Sequence, residues 1–244
     1  MQRFFVQRVE LEGDEVVLRR QAHQIRDVLR LKAGEHIILL DNEGWEYEVK
    51  LTDVRRGEVK GKILEKREAK GEPSVKITLY HGMTAREKFE WVLQKCTEIG
   101  VWRFEPVIAE RSVVRDSKIK QSKMERWRRI IEEAAEQSQR GRKPEVSPPT
   151  TFAKALEGID NYGCKLIATP AAGGESLRDC LKNFKGEEIA LFVGPEGGFT
   201  KEEIEMCIER GARAFSLGER ILRTETAAVV ASAVILYELG ELED

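Results

Sequence analysis

The stretch that decides the fold is residues 191–228, which read LFVGPEGGFTKEEIEMCIERGARAFSLGERILRTETAA. Its opening hydrophobic run ends in the glycine turn 194–198, and a helix is predicted to begin at Thr200. A short predicted strand, 213–217, then ends at a second turn at Gly218. Strand, glycine turn and helix in repetition are typical of an α/β fold whose ligand lies beyond the carboxyl ends of parallel strands.

A third turn of small residues lies upstream of this stretch. The predicted strand 165–169 ends at Pro170, and the sequence AAGGE follows at 171–175. Because the carboxyl ends of parallel strands meet at one edge of a sheet, we expect all three turns to line one site. Downstream, residues 227–239 are apolar on almost every helical face. That pattern predicts burial in the core or in a subunit interface.

The composition limits the class of protein. The chain has 244 residues, 41% of them hydrophobic, which is enough for one large domain or two modest ones. Its formal net charge of -2 means that any nucleic-acid surface must be a local patch. The four cysteines have neither CxxC spacing nor nearby histidines, so we expect reduced thiols and no metal site. No signal peptide or membrane span is evident, which predicts a cytoplasmic protein.

Two domains are predicted from the pattern of elements. Residues 1–70 are rich in short strand candidates and contain one predicted helix, 22–31, with Val28 on its buried face. The polar stretch 67–74 lacks periodicity and contains glycine and proline, so it is interpreted as the linker. Strands and helices alternate through residues 74–244, which indicates the α/β domain.

The most basic part of the chain is residues 111–129, with eight Lys or Arg against two acids. This segment is either a solvated helix face or a surface that binds the RNA backbone. Further arginines in the small domain and after the basic helix could extend such a surface. The candidate RNA-binding residues are Arg3, Arg19, Arg30, Arg111, Arg115, Lys123, Arg126, Arg129, Arg140 and Arg142.

The glycine turn at 194–198 is not one of the common nucleotide motifs. Its spacing, GPEGG, matches neither the dinucleotide fingerprint GxGxxG nor the P-loop GxxxxGK[ST]. A nicotinamide oxidoreductase and an ATP hydrolase are therefore disfavoured, and recognition of an adenosine compound by main-chain groups is left. Thr200 and Glu203 fit a capping box. The charges within 220–227 are either paired with one another or part of a site.

Two motifs, GPEGGFT from Gly194 and LGERILRTETA from Leu217, resemble the signature of the RsmE family. Members of this family are bacterial SPOUT methyltransferases that methylate N3 of one uridine in small-subunit ribosomal RNA. The resemblance covers nearly the whole chain, with mild departures at Ile99 and Gln139. Further matching segments are RFF at 3–5, VLR at 28–30, KCTEIGV at 95–101 and EAAEQS at 133–138.

The resemblance implies a PUA-like β-barrel over residues 1–70 that binds RNA. It implies that a SPOUT-type α/β domain follows over 74–244, with its carboxy-terminal part threaded into a trefoil knot. It further implies a homodimer, S-adenosylmethionine as cofactor, and 16S rRNA or the small ribosomal subunit as partner. The cofactor-binding residues carried over by position are Thr169, Pro170, Gly194, Glu196, Gly197, Gly198, Leu217, Gly218, Ile221, Leu222, Arg223, Thr224, Thr226 and Ala227.

Methylation at uridine N3 sets three chemical requirements. The nitrogen lies on the Watson–Crick edge, so the base must be unpaired or extruded. It must also lose its proton, for which Glu196 or Glu225 is the candidate acceptor. Arg223 is the candidate for stabilising the charge that develops on the uracil oxygens. The alternatives are a SPOUT enzyme acting on another base or a ribose 2′-OH, and a non-catalytic RNA-binding dimer.

Overall fold

The computed structural model describes residues 1–7, 13–114, 119–169 and 175–242. The chain divides into two compact units, the first formed by Met1–Glu72 together with Ala135–Lys143. The second is formed by Pro73–Ala134 together with Pro144–Asp244. The sequence carries no signal that residues 135–143 return to the first unit, because they directly follow a basic amphipathic helix.

The first unit contains a five-stranded sheet in its described part. Its strands are β1 (Gln2–Phe5), β2 (Glu15–Leu18), β3 (His36–Leu40), β4 (Trp45–Arg55) and β5 (Glu58–Glu68). The strand order is β1-β3-β4-β5-β2, with β1 parallel to β3 and the other neighbours antiparallel. In the turn between β3 and β4, the Asp41 carboxylate accepts the N–H groups of Glu43 and Trp45.

The predicted helix at 22–31 is present only in part and has another geometry. A single π-helical segment spans Gln24–Val28, and the N–H of Leu29 donates to the carbonyl of Gln24, five residues earlier. The wider turn changes which side chains share a face. Ile25 is buried as expected, but Val28 is 63% exposed. The placement of Val28 on the buried face was therefore wrong, because it assumed the α-helical repeat.

The second unit is a parallel sheet covered by helices. Its elements are β6 (Lys76–Gly82), α1 (Arg86–Ile99), β7 (Arg103–Ile108), α2 (Gln121–Gln137, whose last three residues count with the first unit), β8 (Glu145–Val146), β9 (Thr150–Thr151), α3 (Phe152–Glu157), β10 (Cys164–Ala168), β11 (Glu175–Ser176), α4 (Leu177–Leu181), β12 (Glu188–Val193), α5 (Lys201–Glu209), β13 (Arg213–Ser216) and α6 (Thr224–Glu238). The strand order is β11-β13-β10-β12-β6-β7-β8, with β9 beside β7. Every pair is parallel, as the sequence predicts.

Strand β12 lies in the middle of this sheet and explains the hydrophobic run at residues 189–193. Both of its neighbours, β10 and β6, are hydrogen-bonded to it, and all five side chains are at most 2% exposed. Ile189, Leu191 and Val193 face a core that also contains residues of α1 and α6. Ala190 and Phe192 face a second core with α3 and α5. A strand covered on both faces needs an uninterrupted apolar sequence.

All four cysteines are buried, so their predicted place in the core is confirmed. Helix α6 buries one side against the core and leaves the other side half-exposed. Across the described ranges, none of the helices combines the length and the hydropathy that crossing a bilayer requires. The same ranges contain no cluster of three His, Cys, Asp or Glu side chains that could hold a metal ion.

Residues 135–143 are held in the first unit by a buried ion pair. Arg140 is 1% exposed, and its Nε and Nη2 donate to the two carboxylate oxygens of Glu72 at 3.2 and 2.8 Å. The main-chain N–H of Arg142 donates to the same carboxylate at 3.1 Å. Arg140 therefore lies inside the unit instead of on an RNA-accessible surface. A basic run in the sequence does not show which of its members is neutralised by a distant acid.

We expect Glu72→Gln to destabilise the first unit. It removes the countercharge of a buried guanidinium, a change that costs about 3 kcal/mol. Urea unfolding followed by circular dichroism measures the loss of unfolding free energy. The matched control is Asp53→Asn, whose pair with Arg55 is exposed and worth at most about 1 kcal/mol. Equal losses in the two variants would contradict a structural role for the Glu72–Arg140 pair.

Candidate active site

A cavity of about 690 Å³ lies in the second unit, at the carboxyl ends of β10, β12 and β13. This volume is typical of a small-molecule site. The cavity is lined by both glycine turns of the 191–228 stretch and by Thr169, where the third predicted turn begins. The ends of these parallel strands therefore meet at one place. Pro170 and Arg115 lie outside the described residues.

Most of the residues predicted to bind the cofactor line this cavity. Those that do so are Thr169, Gly194, Glu196, Gly197, Gly198, Leu217, Gly218, Ile221, Leu222, Arg223, Thr224 and Ala227. Glu225, a candidate proton acceptor, lines it as well. Thr226 is not among the lining residues, because two helical positions rotate its side chain about 200° from that of Thr224. Lys88, Arg111 and Ile204 line the cavity although the sequence did not indicate a place for them there.

At two glycines of this site a side chain would be unfavourable, at Gly82 because of a steric clash and at Gly218 because of its backbone conformation. A Cβ atom added to Gly82, at the end of β6, would lie 2.3 Å from the ring and nitrogen of Pro195 and 2.8 Å from the carbonyl carbon of Gly194. The end of β6 thus packs directly against the main chain of the turn 194–198. Gly218 has φ +98°, a conformation that side chains rarely adopt. Gly218 is predicted by its turn in the sequence, whereas Gly82 is not, because its partner Pro195 lies far along the chain.

A threonine ties together three segments at the base of the cavity. The buried Thr224 hydroxyl, at the start of α6, donates to the carbonyl of Gly194 and lies 3.2 Å from Nε2 of His81 in β6. Because the hydroxyl proton is used on Gly194, the oxygen accepts from the imidazole N–H. Burial lowers the pKa of His81 to about 4, so the ring is neutral near pH 7. No motif in the sequence pointed to His81.

The predicted capping box at α5 is confirmed and has a second role. Thr200 Oγ1 accepts the N–H of Glu203, and the Thr200 N–H donates to Glu203 Oε2 at 2.9 Å. The other oxygen, Oε1, accepts the N–H of Glu110 at 2.9 Å. The Glu203 carboxylate therefore connects the start of α5 to the loop that follows β7. From this loop, Nη1 of Arg111 donates to the carbonyl of Gly197 at 3.2 Å. Arg111 is therefore placed beside the glycine turn.

The two candidate proton acceptors differ in their surroundings. Glu196 forms an ion pair with Lys88 at 3.1 Å. Burial raises the pKa of Glu196, but hydrogen bonds from its own N–H and from Lys88 outweigh burial, and the net pKa is lowered. A lowered pKa makes a carboxylate a weaker base. Glu225 has one buried oxygen, Oε2, without a hydrogen-bond partner among the described residues. Glu225 thus differs from Glu196 in having a buried carboxylate oxygen that no described residue occupies.

The basic residues of α2 are not equivalent. Arg126 donates twice to Glu90, at 2.6 and 2.8 Å, and Lys123 lies 5.1 Å from the ring centre of Trp127. Arg128 and Arg129 are exposed, and within the part of the chain that the structure describes neither makes an ion pair. Arg126 is therefore partly structural. Arg128 and Arg129 present the charge of α2 that is free for a partner.

The candidate RNA-binding arginines of the first unit also fall into two groups, those whose side chains bind other residues of the unit and those whose side chains are exposed. Arg3 pairs with Glu46, and its side chain is 15% exposed. The Arg142 guanidinium donates to carbonyls of the hairpin turn, which leaves it less available to RNA. Arg30 is exposed and has φ 57°, while Arg19 is largely exposed beside Glu58. Arg19 and Arg30 are the members of this set that are most open to a partner.

Comparison with known proteins adds two family matches. Residues 71–236 match the RNA methyltransferase domain, and residues 17–64 match the RNA methyltransferase PUA domain. Ribosomal RNA small subunit methyltransferase E of Bacillus subtilis is 32% identical over 248 residues, covering 98% of this chain and 97% of that protein. The protein of the same name from Aquifex aeolicus is 31% identical, covering 93% of this chain and 96% of that protein.

Solved structures give the same relationship. Ribosomal RNA small subunit methyltransferase E from Neisseria gonorrhoeae, bound to S-adenosyl methionine, superposes with a TM-score of 0.87 at 32% identity, over 97% of both chains. A putative methyltransferase from Legionella pneumophila, in complex with the same cofactor, has a TM-score of 0.86 at 32% identity, again over 97% of both chains. With a PUA domain followed by a SPOUT-type α/β domain, the chain belongs to the RsmE family of ribosomal RNA small subunit methyltransferases.

Proposed function

We propose that this methyltransferase transfers a methyl group from S-adenosylmethionine to N3 of one uridine in 16S rRNA. The observation that carries the proposal is the cavity formed by the turns at 194–198 and 217–218 and the start of α6. Glycine turns form part of its wall, and the chain belongs to a family whose relatives with the same fold were crystallised with this cofactor. We further propose that the protein works in the cytoplasm, where its ribosomal substrate is found.

The cavity residues suit the cofactor's mixed chemistry. Gly197, Gly198 and Gly218 line the cavity without side chains, so an adenosine can approach their main chain closely, and Gly218 has a backbone angle that only glycine adopts readily. Apolar side chains for a flat base come from Val193, Phe199, Leu217, Leu222 and Ala227. When bound, the cofactor supplies a methyl group on a sulfonium. In our proposal Thr169, Pro170 and residues 221–227 complete the cofactor site. Thr226 lies within this segment, at the start of α6, but its side chain does not line the cavity.

The reaction also requires the protein to handle a proton and a negative charge. N3 of uridine must lose its proton before its lone pair can attack a methyl carbon. Glu225 is the acceptor we propose, because its Oε2 is buried and without a partner among the described residues. Arg223, the residue that precedes α6, lines the cavity and can stabilise charge on the uracil oxygens. Alignment of N3 with the methyl group supplies much of the remaining rate.

The final helix supports the homodimer that the resemblance implies. Its half-exposed or exposed side chains include Val229, Val230, Ala233, Val234 and Tyr237. An apolar strip on a surface helix is typical of a protein–protein contact. We propose that a second copy covers it. The trefoil knot is also part of the proposal, and the hydrogen bond between Thr224 and Gly194, which binds the last helix to the preceding turn, is consistent with it.

The function predicts a specific change in ribosomal RNA. In cells that lack this protein, 16S rRNA should lose one 3-methyluridine, and the wild-type gene should restore it. Mass spectrometry of nucleosides from purified 16S rRNA measures both. Unchanged 3-methyluridine together with loss of a ribose-methylated nucleoside would instead support the 2′-OH alternative. No change in any methylated nucleoside would support the non-catalytic alternative.

For the RNA surface, we expect the double variant Arg128→Glu, Arg129→Glu to weaken binding of a 16S rRNA fragment. Each lost phosphate contact and each added negative charge opposes binding, so the dissociation constant should rise at least about tenfold. Fluorescence anisotropy measures this, and calorimetry should show unchanged affinity for S-adenosylmethionine. The matched control reverses two exposed lysines elsewhere, Lys154→Glu and Lys182→Glu. Equal weakening by the control would mean that only net charge matters.

A further inference from the structure

The charges around the cavity do not match the cofactor proposed to fill it. Four cationic side chains line the cavity, against two acidic ones, in a chain with a net charge of -2. The cations are Lys88, Arg111, Arg220 and Arg223, and the acids are Glu196 and Glu225. The sulfonium and the ammonium of S-adenosylmethionine are cations that gain nothing from positive neighbours, and its single carboxylate cannot pair with all four. Cations that neither Glu196 nor the cofactor carboxylate neutralises are therefore available to an anion of the substrate, either a phosphate of the RNA or a uracil that has lost its N3 proton.

The four cations are not equally available. Lys88 is paired with Glu196 at 3.1 Å. Arg111, Arg220 and Arg223 have no carboxylate within ion-pair distance in the ranges that the structure describes. Of these three, Arg220 and Arg223 make no side-chain hydrogen bond to any described residue. Arg111 has no ion pair among the described residues, although Glu202 lies near enough to interact with its charge, and unlike Arg220 and Arg223 its guanidinium is hydrogen-bonded.

Three contacts fix Arg111. Its neighbour Glu110 donates its N–H to the buried carboxylate of Glu203 at 2.9 Å. The turn formed by residues 109–112 is closed by Ser112. This residue is 3% exposed, and its Oγ accepts the N–H of Ala109 at 3.0 Å. The Arg111 guanidinium donates to the Gly197 carbonyl at 3.2 Å, and a Cβ on Gly197 would lie 2.9 Å from the Cβ of Arg111. The main chain and the stem are thus placed before any substrate binds, and one hydrogen bond holds the exposed guanidinium against the turn 194–198.

We propose that Arg111 is a catalytic residue that contacts the target uracil and stabilises the negative charge on the oxygens beside N3. The inference rests on the proposed function and gives Arg111 a role distinct from holding the RNA backbone. A donor that is already in place needs no reorganisation when the charge appears, which is why fixed donors stabilise developing charge best. By this criterion Arg111 is better suited than Arg223, whose side chain makes no hydrogen bond among the described residues.

The balanced step shows where this charge acts. The N3 proton leaves to Glu225 or to solvent, and the ring holds a negative charge shared by N3 and its two flanking oxygens. The N3 lone pair then forms the bond to the methyl carbon as the carbon–sulfur bond breaks, and that electron pair stays on sulfur as a thioether. The product base is neutral. The positive charge of Arg111 therefore stabilises the uracil anion and favours loss of the N3 proton. After methyl transfer the base is neutral, so this attraction is lost.

The test is the pH dependence of single-turnover methyl transfer by Arg111→Met, at saturating cofactor and 16S rRNA substrate. The variant keeps the aliphatic stem over Gly197 and removes the charge. We expect about a 100-fold lower rate near pH 7. The deficit should shrink as the pH approaches the pKa of N3 in free uridine, because the base then ionises without help. Arg111→Lys should recover part of the rate by restoring the charge.

Controls separate catalysis from folding and from the proposed function. Arg111→Met should retain wild-type thermal unfolding and cofactor affinity, and Arg210→Met, which breaks only an exposed pair with Asp160, should keep the wild-type rate. A wild-type rate in Arg111→Met, or a deficit that is constant at every pH, would overturn the inference alone. A wild-type protein that forms no 3-methyluridine would overturn the proposed function and the inference with it.

Discussion

The site depends on a contact between main chains that leaves no room for a side chain. Gly82 ends β6 against Gly194 and Pro195, so the turn after β12 rests directly on the neighbouring strand. Thr224 then ties α6 to the same turn through the carbonyl of Gly194. Because these contacts use backbone and buried groups, the turn has little freedom to move. A rigid turn of this kind can present main-chain donors and acceptors to a ligand with fixed geometry.

Although the net charge of the chain is only -2, positive charge is concentrated at the cavity and on the surface of α2. The cavity carries an excess of cations, while Glu196 is held as a carboxylate by Lys88 and its own N–H. On α2, Arg126 is occupied by Glu90, and Arg128 and Arg129 are exposed. Positive charge therefore occurs both where a base would react and on a helix surface where RNA backbone could bind. Local patches of this kind can attract a nucleic acid to one face of a protein whose net charge is close to zero.

The sequence was sufficient to predict features that depend on neighbouring residues. The apolar run at 189–193 indicated a buried parallel strand, the glycine turns indicated the edge of the sheet, and Thr200 with Glu203 indicated a helix cap. Features that depend on distant partners could not be predicted. The prediction that Arg140 is an RNA-binding surface residue is wrong, because nothing in the local sequence indicates that Glu72 neutralises it. His81 and Gly82 were missed because their partners, Thr224 and Pro195, lie more than a hundred residues away.

The central claim is that the packing of Gly82 against the turn 194–198 shapes the cofactor site. Calorimetric titration of S-adenosylmethionine into Gly82→Ala tests it most directly, with Gly158→Ala as control, since a Cβ there makes only an ordinary contact at 3.8 Å. The account predicts that folded Gly82→Ala binds at least about tenfold more weakly, equivalent to roughly 1.4 kcal/mol, while the control binds like the wild type. Wild-type affinity in a folded Gly82→Ala protein would contradict it.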